Sequence, residues 1–404
     1  MSLTKPAARI LAALALAVLL AYSFRGAGSG GRSGLTLLIE PYSLDMWREL
    51  TGQFNGEFPG PPIQLIEGPR STDTREEMYS TAFLAGEAGF DIVFIDISWL
   101  AKFAAAGWLL DLTPRISAED RRALLSAELA GSSYQGRLYR MPALTDVGVL
   151  YYRTDLMAQP PETFDDLLRL ARAHQTPERW GYLWQGRQYE GLVTVFLEVL
   201  WGFGGDWIDT SSRRVMLDSP EATRAVEFLK STVGTVSPAA VTTYDEEDTR
   251  NVFQNGRAVF MRNWPYAQAL MEEDSSPVRG RFALAPMVHA PGRKSGPTLG
   301  GWGFAISSFC PDPDRAWQFI EWITRPAQLR VFQQRQGKIP ARRDMAPPEF
   351  LPILEAARPR PPIPEYAPAS DILQRWLSAA LTGRATPADA MHAAAAETRS
   401  LLAQ

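Results

Sequence analysis

Between residues 35 and 106 the sequence alternates short apolar runs with stretches of helical spacing, and this alternation restricts the fold more than any other feature. Residues 35–40 are an apolar run ending in Glu40, and residues 43–54 carry Leu44, Trp47, Leu50 and Phe54 at helical intervals. Residues 63–66 read as a second strand, 72–85 as a helix, 92–95 as a third strand and 99–106 as a helix. The order β-α-β-α-β-α predicts a parallel sheet covered by helices, with ligands at the carboxyl ends of the strands. Glu40 and Asp96 each stand at such an end. The whole chain, at 404 residues, is long enough for two domains.

Farther along, residues 136–140 and 147–152 read as strands flanking a loop at 142–146 that carries Asp146. Helices are expected at 163–173, 191–201, 219–232 and 245–255, then a strand at 258–262 and a helix opened by Trp264, Pro265 and Tyr266. Strands at 282–286 and 303–307 and helices at 316–323 and 327–334 follow. Beyond Asp344 come a proline-rich stretch at 358–364 and helices at 371–381 and 387–402. Within 298–306, Thr-Leu-Gly-Gly-Trp-Gly-Phe-Ala-Ile, the three glycines read as a bend that presents Trp302 before a strand. A core plug is the other reading of Trp302. The first pattern stops near Asp146 and an alternating core pattern returns at Gly300, so the chain crosses between two lobes at least twice. Gly300, Gly301 and Gly303 would then absorb torsion at a hinge.

Lys5 and Arg9 precede an apolar run at 10–22 and a Gly/Ser-rich stretch at 23–34, which together read as a secretory signal or short anchor plus linker over 1–34. The protein is expected to be exported, periplasmic or tethered to the outer face of the plasma membrane. Cys310 is the single cysteine, so no intramolecular disulfide forms, and no cysteine follows the apolar run to accept a lipid. A net charge of −4 without a basic run argues against a nucleic-acid partner. His174, His289 and His392 stand far apart, which argues against a zinc site or a Ser-His-Asp triad. There is no P-loop motif, and neither a cofactor nor a metal requirement is expected. Carboxylates are plentiful, so a secreted glycoside hydrolase or lyase using paired carboxylates stays open.

Sugar rings offer apolar C–H faces to Trp and Tyr, and hydroxyls that carboxylates and Arg bind in pairs. Residues of these types stand where strands end in this chain, and at those positions the sequence resembles the extracellular solute-binding proteins that feed sugars to ATP-driven importers, in particular the trehalose/maltose-binding group. The segments that carry the resemblance are 91–99, 103–109, 146–153 with Asp155 and Leu156, 189–192 with Gly204 and Gly205, 253–258, 264–266, 300–303, 337–340, and Arg360 with Pro361. The resemblance implies an α/β, two-lobed periplasmic-binding-protein (type II) fold with hinge-crossing strands, closing on sugar. Lobe 1 would comprise 35–145 and 298–343, and lobe 2 would comprise 146–297 and 344–404. Ligand residues carried over are Glu40 and Asp96 from lobe 1, Asp146 near the crossover, and Tyr189, Glu190, Trp264 and Tyr266 from lobe 2. Gly301 and Trp302 at the return crossing and Arg360 from the tail complete the set. The implied role is high-affinity binding of a neutral disaccharide or glucoside (trehalose, maltose, sucrose or glucosylglycerol class) by a monomer that delivers it to ABC permease subunits. A sugar-sensing module docking a receptor is a further possibility.

Overall fold

A computed structural model describes residues 33–41, 43–86 and 89–403, so the predicted export segment and linker lies outside the described residues apart from Ser33 and Gly34. In chain order the described strands are β1 (Leu35–Ile39), β2 (Ile63–Glu67), β3 (Ile92–Asp96), β4 (Ser133–Tyr134), β5 (Arg137–Leu138), β6 (Met141–Val147) and β7 (Val149–Arg153). They continue with β8 (Trp180–Leu183), β9 (Ile208–Asp209), β10 (Arg214–Val215), β11 (Ala258–Asn263), β12 (Phe282–Ala285), β13 (Leu299–Ile306) and β14 (Ile339–Pro340). Among the described residues no helix is long and apolar enough to cross a membrane.

Two sheets organise the molecule. The six-stranded sheet has the order β14-β6-β13-β3-β1-β2. Its β2, β1 and β3 run parallel, as the alternation predicts, while β13 joins β3 and β6 antiparallel. The four-stranded sheet has the order β12-β7-β11-β8. Period-two alternation puts Leu37, Ile39, Ile92, Phe94, Phe304 and Ile306 in one buried cluster of the larger sheet, with Leu38, Val93, Ile95 and Ala305 in another. Successive side chains of a strand point to opposite faces, so both faces of this sheet are covered and its strands read as unbroken apolar runs. The smaller sheet divides likewise, with Val149 and Tyr151 in one cluster and Leu150 and Tyr152 in the other.

The changes of sheet are abrupt. β6 lies in the larger sheet and β7 in the smaller, separated by Gly148 alone. The return comes as the chain enters β13, where Gly148 N donates to Thr298 O at 3.2 Å. After β14 the chain leaves again, and the helices Tyr366–Leu381 and Pro387–Leu402 pack with the smaller sheet's core.

Three local expectations are corrected. Residues 142–146, predicted as a loop, are the middle of β6. Pro142 is tolerated there because it pairs with Gly303 beside a register shift in the β13 ladder, where a missing N–H costs least. The bend predicted at 298–303 is continuous strand, and Gly300, Gly301 and Gly303 are not among the glycines with positive φ. They are glycine for lack of room: a Cβ on Gly301 would stand 2.3 Å from Glu128 Oε1, and one on Gly303 would stand 2.4 Å from Met141 O. The strand predicted at 136–140 is reduced to the two-residue β5, paired with β4 in a hairpin.

Candidate functional site

Cross-strand pairing on the larger sheet aligns three of the predicted residues. Asp96, the last residue of β3, pairs with Trp302, and Gly300, two residues earlier on β13, pairs with Asp146 of β6. Residues two apart share a face, so Asp96, Trp302, Gly300 and Asp146 line one stretch of sheet surface. With no side chain at Gly300, Trp264 from the other sheet fits against it, and a Cβ there would come within 3.3 Å of the indole's Cζ3. Gly301 faces the opposite way, toward Glu128, so the structure does not bring its α-carbon to this cluster.

Arg360 ties the two sides together. Its Nη2 donates to Asp96 Oδ1 at 2.9 Å and its Nη1 to Glu190 Oε1 at 2.8 Å. Asp96 Oδ1 also accepts from Ser98 N at 2.9 Å and Ser98 Oγ at 2.6 Å, so Asp96 caps a short 3₁₀ turn and pairs with Arg360 through the same oxygen. Glu190, first residue of the helix Glu190–Gly202, accepts from the Tyr366 hydroxyl and from Ser370 Oγ at 2.5 Å. Burial pulls the Arg360 pKa down, but Asp96, Tyr366 and Glu190 outweigh it and hold the guanidinium above its ordinary value. Asp146 is pushed up by burial against the opposing pull of Lys338, whose Nζ is 3.4 Å from Asp146 Oδ2.

The aromatic candidates are half-buried platforms with defined neighbours. Trp302 stacks on Phe94 at 5.0 Å between centroids, meets the edge of Trp99 at 5.4 Å, and has the Arg75 guanidinium 4.9 Å from its centroid. The Arg262 guanidinium lies 4.1 Å from the Trp264 ring centroid, and Trp264 Nε1 donates to Glu246 Oε1 at 3.3 Å. Tyr189 also donates to Glu246, at 2.6 Å, and Tyr266 donates to Glu247 at 2.7 Å while Lys338 lies 5.1 Å from its ring centroid. Glu40, just past β1, is half-buried, and its Oε2 is buried with no hydrogen-bond partner.

Reasoning from sequence missed Asp73, Arg75, Glu246, Lys338, Tyr366 and Ser370. Lys338 lay inside a segment that carried the resemblance; the others carry no motif and are brought in by the fold. Asp73, in the first turn of the helix Thr72–Leu84, has its pKa pushed up to about 7, first by burial and then by the Glu190 carboxylate, with Glu77 and Glu76 adding to the rise. A separate surface recess of about 550 Å³ is lined by residues including Arg115, Asp314, Arg315 and Trp317, none of them candidates. Two of its arginines are engaged, Arg115 with Asp314 at 2.7 Å and Arg315 with the Phe58 and Pro61 carbonyls.

Known proteins agree with this architecture. A family model described as bacterial extracellular solute-binding protein matches residues 41–329. A probable ABC transporter-binding protein of Deinococcus radiodurans is 35% identical over 291 residues, covering 69% of this chain and 67% of that protein. The solved structure of maltose-bound T. maritima MalE3 matches with a TM-score of 0.86 at 36% identity, over 91% of this chain and 99% of that one. An ABC transporter solute-binding protein from Thermotoga lettingae, bound with alpha-D-tagatose, gives 0.81 at 25% identity, over 92% and 100%. The fold is therefore the two-lobed type II periplasmic-binding-protein fold, with strands crossing between lobes on either side of Gly148 and Thr298. The chain belongs to the bacterial extracellular solute-binding protein family.

Proposed function

We propose that the chain binds a neutral disaccharide or glucoside between its lobes without chemical turnover, and delivers it as an exported monomer to ABC permease subunits. We assign 35–145 with 298–343 to one lobe and 146–297 with 344–404 to the other. The observation that carries this reading is that three candidate residues, Glu40, Asp146 and Arg360, are among those with a buried polar atom lacking a protein partner, at Oε2, Oδ1 and Nε respectively. They lie far apart in the chain, just past β1, within β6 and in the tail, and all three residues are candidates from the sequence. A buried donor or acceptor left unpaired costs about 1–3 kcal/mol. Sugar hydroxyls donate and accept at once, so one ligand can satisfy carboxylates and a guanidinium together. The maltose in one similar structure is a disaccharide and agrees with this class, while the tagatose in another is a monosaccharide and supports sugar binding in general. Calorimetric titration with maltose, trehalose, sucrose and glucosylglycerol should reveal saturable binding of at least one, recovered unaltered by chromatography after overnight incubation, and binding of D-tagatose alone would overturn the disaccharide or glucoside class. Release of a monosaccharide would overturn the reading in favour of a hydrolase.

Two further outcomes follow from the geometry. Trp302→Ala removes an aromatic platform and Asp96→Ala removes the carboxylate facing Arg360, and each should weaken sugar binding at least about tenfold. Unchanged titrations in both variants would place the pocket elsewhere.

The second outcome is pH dependence. Asp73 falls in the segment we assign to the first lobe and Glu190 in that of the second, and burial first and the Glu190 carboxylate second raise the Asp73 pKa to about 7 in this arrangement. A raised carboxyl pKa means that the closed form holds a proton the separated form releases near pH 4. This contribution to closure is complete below about pH 4 and is lost as pH rises through about 7. Sugar affinity should therefore fall as pH rises from about 4 to about 7 and level off above, and Asp73→Asn should flatten the profile. An unchanged slope in Asp73→Asn would show that another group titrates.

A further inference from the structure

Glu198 and Arg262 are wholly buried and joined by two bonds, Arg262 Nη2 to Glu198 Oε1 at 2.5 Å and Nε to Oε2 at 2.8 Å. One end of this pair abuts both peptides where the chain changes sheet. Thr298 N donates to Glu198 Oε1 at 3.3 Å, and Thr298 O accepts from Gly148 N at 3.2 Å. A Cβ on Gly148 would stand 1.8 Å from Glu198 Oε1 and 2.8 Å from Arg262 Nη2, so the crossing peptide lies directly on the pair. The other end supports Trp264, whose ring centroid is 4.1 Å from the Arg262 guanidinium carbon. Gln185 fixes the guanidinium plane by accepting from Arg262 Nη1 at 3.2 Å and donating to Arg262 O at 3.0 Å.

We infer that Glu198 and Arg262 are positioning residues that tie the orientation of the Trp264 indole to the two crossing peptides, so that lobe closure and presentation of the platform occur together. The inference rests on the sugar-binding reading above. Stability does not account for the pair's form, because apolar residues of similar volume commonly replace a buried ion pair with little loss. A guanidinium can hold a carboxylate through two parallel bonds while stacking on an aromatic face, and neither lysine nor an apolar side chain does both. The arrangement therefore transmits orientation from hinge to platform.

A double-mutant cycle tests this. Glu198→Leu with Arg262→Met replaces the pair without leaving a lone charge, and is made with Trp264 intact and with Trp264→Ala. Each protein is titrated with the sugar that the wild type binds most tightly among maltose, trehalose, sucrose and glucosylglycerol. Replacing the pair should weaken binding at least about tenfold when Trp264 is present and less than about threefold when it is absent, because effects exerted through one side chain are not additive. Equal losses in both backgrounds, or wild-type affinity throughout, would overturn the inference while leaving sugar binding intact. Failure of the wild type to bind any of the sugars would overturn both. If the apolar pair does not fold, Arg262→Lys, which keeps the charge and loses the fork and plane, takes its place in the cycle with the same expected outcomes.

Discussion

Arg360→Ala should weaken sugar binding by about a hundredfold, the largest loss expected from any single side chain of the site. Arg360 is 7% exposed and reaches Asp96 at 2.9 Å and Glu190 at 2.8 Å, residues we assign to different lobes. Truncation leaves both carboxylates, Asp96 buried and Glu190 half-buried, without their cation. Removing one partner from a buried ion pair costs about 3–5 kcal/mol, and about 3 kcal/mol corresponds to a hundredfold in affinity. The loss falls on the closed form, where the two carboxylates face the same guanidinium, so binding should suffer more than thermal stability of the sugar-free protein. Arg360→Lys should recover only part of the affinity, since an ammonium does not span both carboxylates with a planar fork. Calorimetry of the two variants beside their melting curves checks this, and wild-type affinity in Arg360→Ala would remove Arg360 from the site.

Gly301→Val should lower the thermal midpoint by about 10 °C, an effect on folding and not on a hinge. Gly301 is extended strand, paired with Thr145, and a Cβ on it would meet Glu128 Oε1 at 2.3 Å. Glu128 and Arg140 form a fully buried pair at 3.0 Å, with Ser132 Oγ accepting from the same Arg140 Nη1 at 2.7 Å. A valine must displace the carboxylate and strand the guanidinium, at a cost of about 3–5 kcal/mol against a typical total stability of about 5–15 kcal/mol. Gly52→Ala is the control, because its added Cβ meets no atom within 4 Å and it lies in the helix Leu44–Glu57, where alanine is favoured. A Gly301→Val protein with wild-type melting that binds sugar without closing would restore the glycine as a hinge.

The first three strands and their helices were legible because a parallel sheet buried on both faces leaves apolar runs separated by amphipathic stretches. The crossing near Asp146 was legible from where that pattern stops. Two signals misled at β13 and β6. Three glycines in four residues suggest a bend, yet here each marks close packing by Trp264, Glu128 or Met141, which only the assembled structure places there. Pro142 argued for a loop, but it needs no ladder bond beside the register shift. In the site, Asp96 stood out by residue type at a strand end, and Arg360 came only from the family resemblance. Arg75, Asp73 and Tyr366 did not, because each reaches Trp302 or Glu190 from elements far away in the chain. Spacing along one element carries no trace of such contacts.

In the proposed function, ligand draws the two lobes together across Arg360, and a ligand contacting both lobes shifts the equilibrium by its difference in affinity for the closed and open forms. Small-angle X-ray scattering with and without a saturating concentration of a sugar shown to bind measures this directly. The radius of gyration should be smaller with sugar in the wild type, and the change should be diminished in Arg360→Ala. Superimposable wild-type curves, with the sugar demonstrably bound, would contradict the clamp and indicate a rigid pocket.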